Sequence, residues 1–276
     1  MTKELRIDTT IKLNNGIEMP LFGLGTYQTT GRGTEEAVLY ALEIGYRLID
    51  TAQMYGNERE VGNAVRRSRI PREEIFVTTK LDNSNHGYEE ALNSFERSLE
   101  RLRLSYVDLF LIHWPVEGLR SESWRALERL LEEGTCRSIG VSNYMVWHLE
   151  EVLGESSTVP AVDQVEFSPY LHQRKLLEFC KSENIQLEGY SPLGKGEILN
   201  ALELVPIAQK YSKTAAQILI RWALQHGIIT IPKSSRKSRI QENADVFDFE
   251  IAPEDMRVLN DLDANLRTSW DPSTAP

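Results

Sequence analysis

Four side chains of this sequence, Asp50, Tyr55, Lys80 and His113, have the chemical types needed to deliver a proton to a carbonyl oxygen. Asp50, Lys80 and His113 each stand at the end of a short apolar run, and Tyr55 follows Asp50 by five residues. A free tyrosine has a pKa of about 10, and a nearby ammonium lowers it because the ammonium stabilises the phenolate. We expect Lys80 to supply that ammonium, Asp50 to hold Lys80, and His113 to orient the carbonyl oxygen.

Each of these side chains also has a purely structural interpretation. Asp50 and Lys80 compensate each other as an ion pair, which is how buried charges are usually tolerated. A lone histidine is more often a hydrogen-bonded core residue than a catalyst, and Tyr55 is compatible with ordinary packing. The combination at neighbouring strand ends favours chemistry. Hydrolysis is disfavoured because no residue is an obvious activated nucleophile.

Eight short apolar runs, each followed by a helical pattern, must position these residues. They span 19–26, 46–51, 75–80, 107–114, 136–143, 161–168, 185–193 and 228–234. Several are rich in Val, Ile, Leu and Phe with little alternation, which is typical of strands covered on both faces. The segments between them are amphipathic, as in 88–102 and 214–226. Asn57 is expected to cap the helix that follows Tyr55.

Strands that alternate with helices imply right-handed crossovers and a parallel sheet. Eight such units predict a closed (β/α)8 barrel, and the absence of a linker or composition shift predicts a single domain over residues 1–276. Ahead of the barrel, Asn15-Gly16 predicts a tight β-hairpin turn with positive φ at both central residues. An open doubly wound sheet is the alternative, but Gly23-Leu24-Gly25 lacks the third glycine of a dinucleotide turn.

Composition excludes several classes of function. A formal net charge of −10 argues against nucleic acid or an anionic membrane as the main partner. The two cysteines, Cys136 and Cys180, form no disulfide framework, and we expect them to be buried and reduced. Residues 1–10 lack the apolar core of a signal peptide, and no apolar run is long enough to span a bilayer. We therefore expect a cytoplasmic protein. The five histidines have no metal-ligand spacing, so no metal site is expected.

Polar residues follow nearly every predicted strand, at the rim where barrel enzymes carry their chemistry. Besides Asp50, Lys80 and His113, the residues at these strand ends are Gly25, Thr26, Thr51, Trp114, Ser142, Asn143, Gln164, Glu166, Tyr190, Ser191, Lys233 and Ser234.

Seven motifs in this order resemble the aldo-keto reductase superfamily. They are DTAQMYGNE at 50–58, TTKL at 78–81, LIHWP at 111–115, GVSNY at 140–144, QVEFSPY at 164–170, YSPL at 190–193 and IPKSSRKSRIQEN at 231–243. The resemblance runs from the hairpin nearly to the C-terminus. It is strongest to the short prokaryotic branch that includes glyoxal and diketogluconate reductases and microbial prostaglandin F synthases.

The resemblance implies NADPH-dependent reduction of aldehydes or ketones, with Asp50, Tyr55, Lys80 and His113 as the catalytic set and Tyr55 as proton donor. It places Ser142, Asn143 and Gln164 at the nicotinamide carboxamide, Tyr190 on the nicotinamide ring, and Ser191 and Leu193 at the pyrophosphate. The adenosine end falls on Lys233, Ser234, Arg239, Glu242 and Asn243. We assign Gly25, Thr26 and Asp50, at neighbouring strand ends, to the same cofactor site.

A basic cluster supports the choice of NADPH over NADH. Lys233, Arg236, Lys237 and Arg239 surround two serines in an otherwise acidic protein. Cations at a helix N-terminus oppose the helix dipole, so a bound 2′-phosphate explains them better than solvent does.

The predicted pocket for a small carbonyl substrate is lined by Tyr27, Met54, Tyr55, His113 and Trp114. The family usually has tryptophan two residues after Lys80, whereas this chain has Asp82, which makes the entrance more polar. The loops and C-terminal tail are short, although Trp270 is able to fold over the pocket. We therefore expect an open site that accepts small aldehydes or dicarbonyls, in a monomer, with a weak dimer as the alternative.

Two other functions stay open on the same barrel. The superfamily includes nucleotide-binding regulatory subunits of potassium channels, against which the complete catalytic set argues. A lyase that forms a Schiff base on Lys80 is disfavoured because Asp50 should keep that amine protonated.

Overall fold

The computed structural model describes residues 4–275, and its centre is an eight-stranded parallel sheet. The strands follow one another in sequence order around the sheet. They are β3 (Gly23–Gly25), β4 (Leu48–Asp50), β5 (Phe76–Leu81), β6 (Val107–Ile112), β7 (Cys136–Ser142), β8 (Val162–Glu166), β9 (Gln186–Tyr190) and β10 (Ile229–Thr230). Parallel bridges from Phe22 to Thr230 and from Gly25 to Lys233 join the two ends. The predicted (β/α)8 barrel is confirmed.

The first and last strands are shorter than the apolar runs that predicted them. Residues 19–26 divide between two sheets: β2 (Glu18–Pro20) pairs with β1 (Thr10–Lys12), and only Gly23–Gly25 enters the barrel. The run 228–234 forms two residues of strand before Pro232, which has no N–H to donate to a neighbouring strand.

The N-terminal hairpin forms as predicted, but its turn differs from the expected one. Of Asn15 and Gly16, only Gly16 has a positive φ, +88°. Leu13 N–H bonds Ile17 O at 2.9 Å, and Gly16 N–H bonds Leu13 O at 2.9 Å, which makes a three-residue loop with glycine in the left-handed position. The Asn15 amide is thereby free to donate to Arg137 O and Ser138 Oγ, both at 3.0 Å, so that the hairpin is fixed to the barrel.

Ten α-helices are found among the described residues. They are α1 (Gly31–Glu43), α2 (Glu58–Arg67), α3 (Tyr88–Leu102), α4 (Arg120–Glu132), α5 (Val146–Glu155), α6 (Arg174–Ser182), α7 (Leu204–Tyr211), α8 (Ala215–Gln225), α9 (Lys237–Ala244) and α10 (Pro253–Asn260). Helix α8 begins with a capping box between Thr214 and Gln217. None of the helices within residues 4–275 is long and apolar enough to span a membrane.

The barrel interior and the layer beneath the helices form one apolar core, in which β5 and β6 are buried along their whole length. Helices pack closely around it. A Cβ on Gly62 of α2 would lie 1.9 Å from Leu102 O at the end of α3, so only glycine permits that approach. A continuous, close-packed core holds the strand ends in fixed relative positions.

Candidate active site

Lys80 and Asp50 form a buried ion pair at the end of adjacent strands β5 and β4. The Lys80 ammonium Nζ lies 2.7 Å from each Asp50 carboxylate oxygen and 2.9 Å from Thr51 O. The two side chains are 0% and 3% exposed, so the pair is held away from water. Three acceptors surround Nζ, and the fourth neighbour is the Tyr55 hydroxyl, 3.4 Å away.

Tyr55 lies above this pair because a short 3-10 helix, Gln53–Tyr55, lifts it from the end of β4. The loop is held by Asn57, whose side chain donates to Thr26 O at 2.9 Å and to Thr29 O at 3.1 Å. Asn57 precedes α2 as expected, but its side chain makes no capping hydrogen bond to that helix, because its Oδ1 accepts instead from the Thr51 hydroxyl at 2.6 Å. The Tyr55 ring lies 5.1 Å from the Tyr27 ring and 5.6 Å from the His113 ring.

The pKa of Tyr55 lies well above its ordinary value, first because the hydroxyl is desolvated and then because the Asp50 carboxylate is near. This direction is opposite to the lowering expected from Lys80. Asp50 contacts the ammonium directly and cancels most of its effect on the phenol. Tyr55 is therefore a neutral hydroxyl that keeps its proton at neutral pH.

His113 follows β6 and is almost fully buried. Burial, and then the Lys80 charge, hold the pKa of His113 well below its usual range, so the imidazole is neutral. Its Nδ1 is buried without a hydrogen-bond partner among residues 4–275. Its Nε2 is not one of these buried, unpartnered atoms. A neutral imidazole carries one N–H, which suits a hydrogen bond to a carbonyl oxygen better than it suits proton transfer.

A hydrogen-bonded shelf continues from His113 around the rim. Asn143 Nδ2 donates to His113 O at 2.9 Å, and the Tyr190 hydroxyl donates to Asn143 Oδ1 at 2.8 Å. Ser142 Oγ donates to Gln164 O at 2.6 Å. The structure thus brings the residues expected at a nicotinamide to one side of Tyr55 and His113.

Glu188, in the middle of β9, is a member of this polar centre that the sequence analysis missed. Its Oε2 accepts a hydrogen bond of 3.0 Å from Gln164 Nε2, which also donates to Asp50 Oδ2 at 2.8 Å. Burial, and then the Asp50 charge, raise the pKa of Glu188 to about 8. The available signal was the single charged residue within the predicted strand 185–193.

The residues expected at the adenosine end lie beyond the end of β10. Gly25 bridges to Lys233, and the Ser234 hydroxyl accepts from the Arg236 N–H at 3.1 Å. Lys233, Arg236, Lys237 and Arg239 are exposed, and within residues 4–275 no carboxylate lies within ion-pair distance of them. Glu242 and Asn243 lie further along α9. The Thr26 hydroxyl donates to Asp50 O at 2.8 Å.

Ser191 and Leu193, expected at the pyrophosphate, lie in the loop after β9. Ser191 has a φ of +48°, and Lys195 in the following 3-10 helix, Gly194–Gly196, donates from Nζ to Thr268 O of the C-terminal tail. Glu166 holds the same tail, because its Oε1 accepts from Thr268 N–H at 2.8 Å and its Oε2 accepts from Ser269 N–H at 3.0 Å.

The anchored tail places Trp270 beside Trp114, at the rim where the substrate pocket is expected. Its ring centroid lies 5.1 Å from that of Trp114, and the side chain is 55% exposed. Tyr27 and Met54 are each 45% exposed at the mouth. Asp82 Oδ1 accepts from the Ser84 N–H at 2.9 Å and so begins a short 3-10 turn beside the pocket.

Comparison of the whole chain with known proteins identifies its family. The model of the Aldo/keto reductase family matches residues 21–264. The chain belongs to that family. It is therefore an oxidoreductase of carbonyl groups and the corresponding alcohols.

Several relatives are similar over nearly their whole length. Glyoxal reductase of Bacillus subtilis (strain 168) is 49% identical over 264 residues, covering 95% of this chain and 96% of that protein. The 9,11-endoperoxide prostaglandin H2 reductase of Trypanosoma cruzi is 49% identical over 266 residues, covering 95% and 94%. A variant of Gox0644 solved in complex with NADPH has a TM-score of 0.93 at 42% identity, covering 98% of this chain and 99% of that one.

Proposed function

We propose that this protein reduces small aldehydes and dicarbonyls to alcohols with NADPH, and that Tyr55 donates the proton. The observation that carries the proposal is the meeting of Tyr55, Lys80 and His113 at one rim, with Nζ 3.4 Å from the phenol oxygen. We further propose that residues 1–276 act as one domain in the cytoplasm, and that the protein is a monomer.

Two features of the structure fit NADPH. The cations beyond β10, which have no carboxylate partner within residues 4–275, lie at the N-terminus of α9, and this is a favourable place for a phosphate. The shelf of Ser142, Asn143, Gln164 and Tyr190 offers polar groups and a ring beside the catalytic residues. Lys233, Ser234 and Arg239 would hold the 2′-phosphate, with Glu242 and Asn243 beside the adenine and Ser191 and Leu193 at the pyrophosphate. Gly25, Thr26 and Asp50 complete the proposed contacts.

When bound, NADPH supplies the hydride. The protein's own part is to place and protonate the carbonyl oxygen. His113 donates a hydrogen bond to that oxygen, and Tyr55 gives up its proton as negative charge develops there. Lys80, fixed by Asp50, stabilises the phenolate that remains. Because Tyr55 is neutral beforehand, its proton is available over the whole neutral pH range.

The shape of the mouth supports small substrates. Tyr27, Met54 and Trp114 form apolar walls that are open to solvent, and the Trp270 ring packs beside Trp114. One relative is named a glyoxal reductase, which agrees with a small dicarbonyl.

The test of the chemistry is NADPH consumption, followed by absorbance, with glyoxal and a panel of aldehydes. Tyr55→Phe should bind NADPH as the wild type does and lose most turnover. Tyr106→Phe removes a hydroxyl just before β6, at the opposite end of the barrel, and should leave turnover unchanged. Full activity in Tyr55→Phe would remove that residue from the mechanism.

The cofactor assignment has a separate test. Combining Lys233→Ala with Arg239→Ala should weaken NADPH binding by roughly a hundredfold or more, because charge-assisted hydrogen bonds contribute about 1.5–3 kcal/mol each. NADH binding should change little, since NADH lacks the 2′-phosphate. Equal losses for the two cofactors would refute the 2′-phosphate site.

A further inference from the structure

Glu188 is a fully buried acid that the proposed proton transfer does not use. It lies directly beside Gln164, because the two residues are paired in the parallel register of β9 and β8. Its Oε2 accepts from Gln164 Nε2 at 3.0 Å, and its Oε1 is buried without a partner among residues 4–275. A buried acid with one free oxygen is costly to keep, which calls for a role.

The role follows from the hydrogen bonds of the Gln164 amide. Nε2 carries two hydrogens, and the two acceptors it contacts are Asp50 Oδ2 at 2.8 Å and Glu188 Oε2 at 3.0 Å. Both hydrogens are therefore used inside the barrel. The reversed amide would place a carbonyl oxygen against two acid oxygens. The orientation of Gln164 is thus determined by Asp50 and Glu188 together.

The carbonyl oxygen of the same amide is left available. Within the described part of the chain no donor forms a hydrogen bond to Gln164 Oε1. This atom is also not one of the polar atoms that are buried without a partner. It belongs to the shelf that ends at Asn143 and Tyr190, beside the catalytic residues. A fixed acceptor in that position selects a ligand that offers an N–H.

We propose that Glu188 is a positioning residue, which locks Gln164 so that its carbonyl oxygen accepts from the carboxamide N–H of the nicotinamide. This inference rests on the proposed function. Glu188 acts in either charge state, because Oε2 accepts whether or not Oε1 carries a proton. Without Glu188, one hydrogen of Gln164 loses its partner, and the amide is free to turn its N–H₂ toward the cofactor.

The experiment measures the affinity for NADP+ and for its 3-acetylpyridine analogue, which has no carboxamide N–H, by calorimetry on the full chain. Glu188→Leu should lower the affinity for NADP+ about tenfold, whereas the affinity for the analogue should stay within about twofold of the wild-type value. Glu188→Gln provides the matched control. Its amide oxygen replaces Oε2, so both affinities should stay within about twofold of the wild type. If Glu188 had only a structural role, Glu188→Leu would lower the affinities for both ligands to a similar extent.

A double-mutant cycle tests whether the effect passes through Gln164. Gln164→Leu with Glu188→Leu should bind NADP+ no more weakly than Gln164→Leu alone. Should Glu188→Leu fail to fold, Glu188→Met provides a second side chain without an acceptor. Additive losses, or unchanged NADP+ affinity in the folded variant, would overturn the inference while leaving the proposed function intact. A wild-type chain that binds neither NADP+ nor NADPH would instead overturn the proposed function, and the inference with it.

Discussion

Replacing Glu188 with glutamine should remove a pH dependence of stability that the wild-type protein carries in its barrel. Burial, and then the Asp50 charge, raise the pKa of Glu188 from the ordinary 4.5 to about 8. A carboxyl whose pKa is higher in the folded state holds its proton more tightly there than in the unfolded chain. The stability it contributes is complete below about pH 4.5 and is lost as pH rises through about 8.

The size of the effect follows from this displacement. Between about pH 5.5 and 7.5 the folded protein keeps the proton and the unfolded chain loses it, which costs about 1.4 kcal/mol per pH unit. The wild type should therefore lose about 3 kcal/mol from this group over that range. An unfolding entropy of roughly 2 cal/mol/K per residue converts that loss into about 5 °C of melting temperature for a chain of this length. Glutamine cannot ionise, so Glu188→Gln should escape the loss.

Calorimetric melting of the cofactor-free protein at several pH values and constant ionic strength measures the difference. The melting temperature of Glu188→Gln relative to wild type should rise with pH by about 5 °C across the range. Glu178→Gln, an exposed substitution on α6, should follow the wild-type curve. Parallel curves for wild type and Glu188→Gln would show that Glu188 is ionised in the folded protein at neutral pH, and the reasoning would fail.

Three further substitutions test the site. Lys80→Met leaves Asp50 buried without its counter-charge and should lower the unfolding free energy by about 3–5 kcal/mol, as measured with urea; adding Asp50→Asn should recover part of the loss. Trp270→Ala removes the ring whose centroid lies 5.1 Å from that of Trp114. It should raise KM several-fold for an aromatic aldehyde but not for glyoxal. An equal change in KM for both substrates would contradict a contact between Trp270 and the substrate. Asp82→Asn should lower KM for a carboxylated aldehyde about twofold at low salt and less at high salt, because salt screens exposed charges.

The sequence predicts the barrel well because its strands are buried on both faces. Runs such as that of β6 contain almost no polar residues, so strand identity does not depend on a weak alternation. The carboxyl ends of parallel strands meet at one rim, and this topological fact alone brings Asp50, Lys80 and His113 together. Their convergence was therefore predictable before any distance was known.

The details that the sequence did not predict depend on contacts between distant segments. The Asn15 turn differs because its amide bonds Arg137 O, more than a hundred residues away. Asn57 has the residue type of a helix cap, yet its side-chain oxygen accepts from the Thr51 hydroxyl while its NH2 group donates to Thr26 O. Glu188 looked like one charge in a strand, and only the register that pairs it with Gln164 gives it a partner. Local sequence propensity cannot predict which of several hydrogen-bond partners, some of them distant in the sequence, a side chain will bind.

The pKa of Tyr55 was also beyond the sequence, and its direction bears on the mechanism. Lys80 was expected to acidify the phenol, but burial disfavours the phenolate and Asp50 lies 2.7 Å from the ammonium. An ammonium paired with a carboxylate leaves little positive potential at the phenol, so Tyr55 holds its proton until a stronger base appears. An oxyanion forming on the carbonyl oxygen is such a base. The proton transfer is then driven by the charge of the transition state and not by an acidic tyrosine in the resting site, and the catalytic value of Lys80 lies in stabilising the phenolate once it exists.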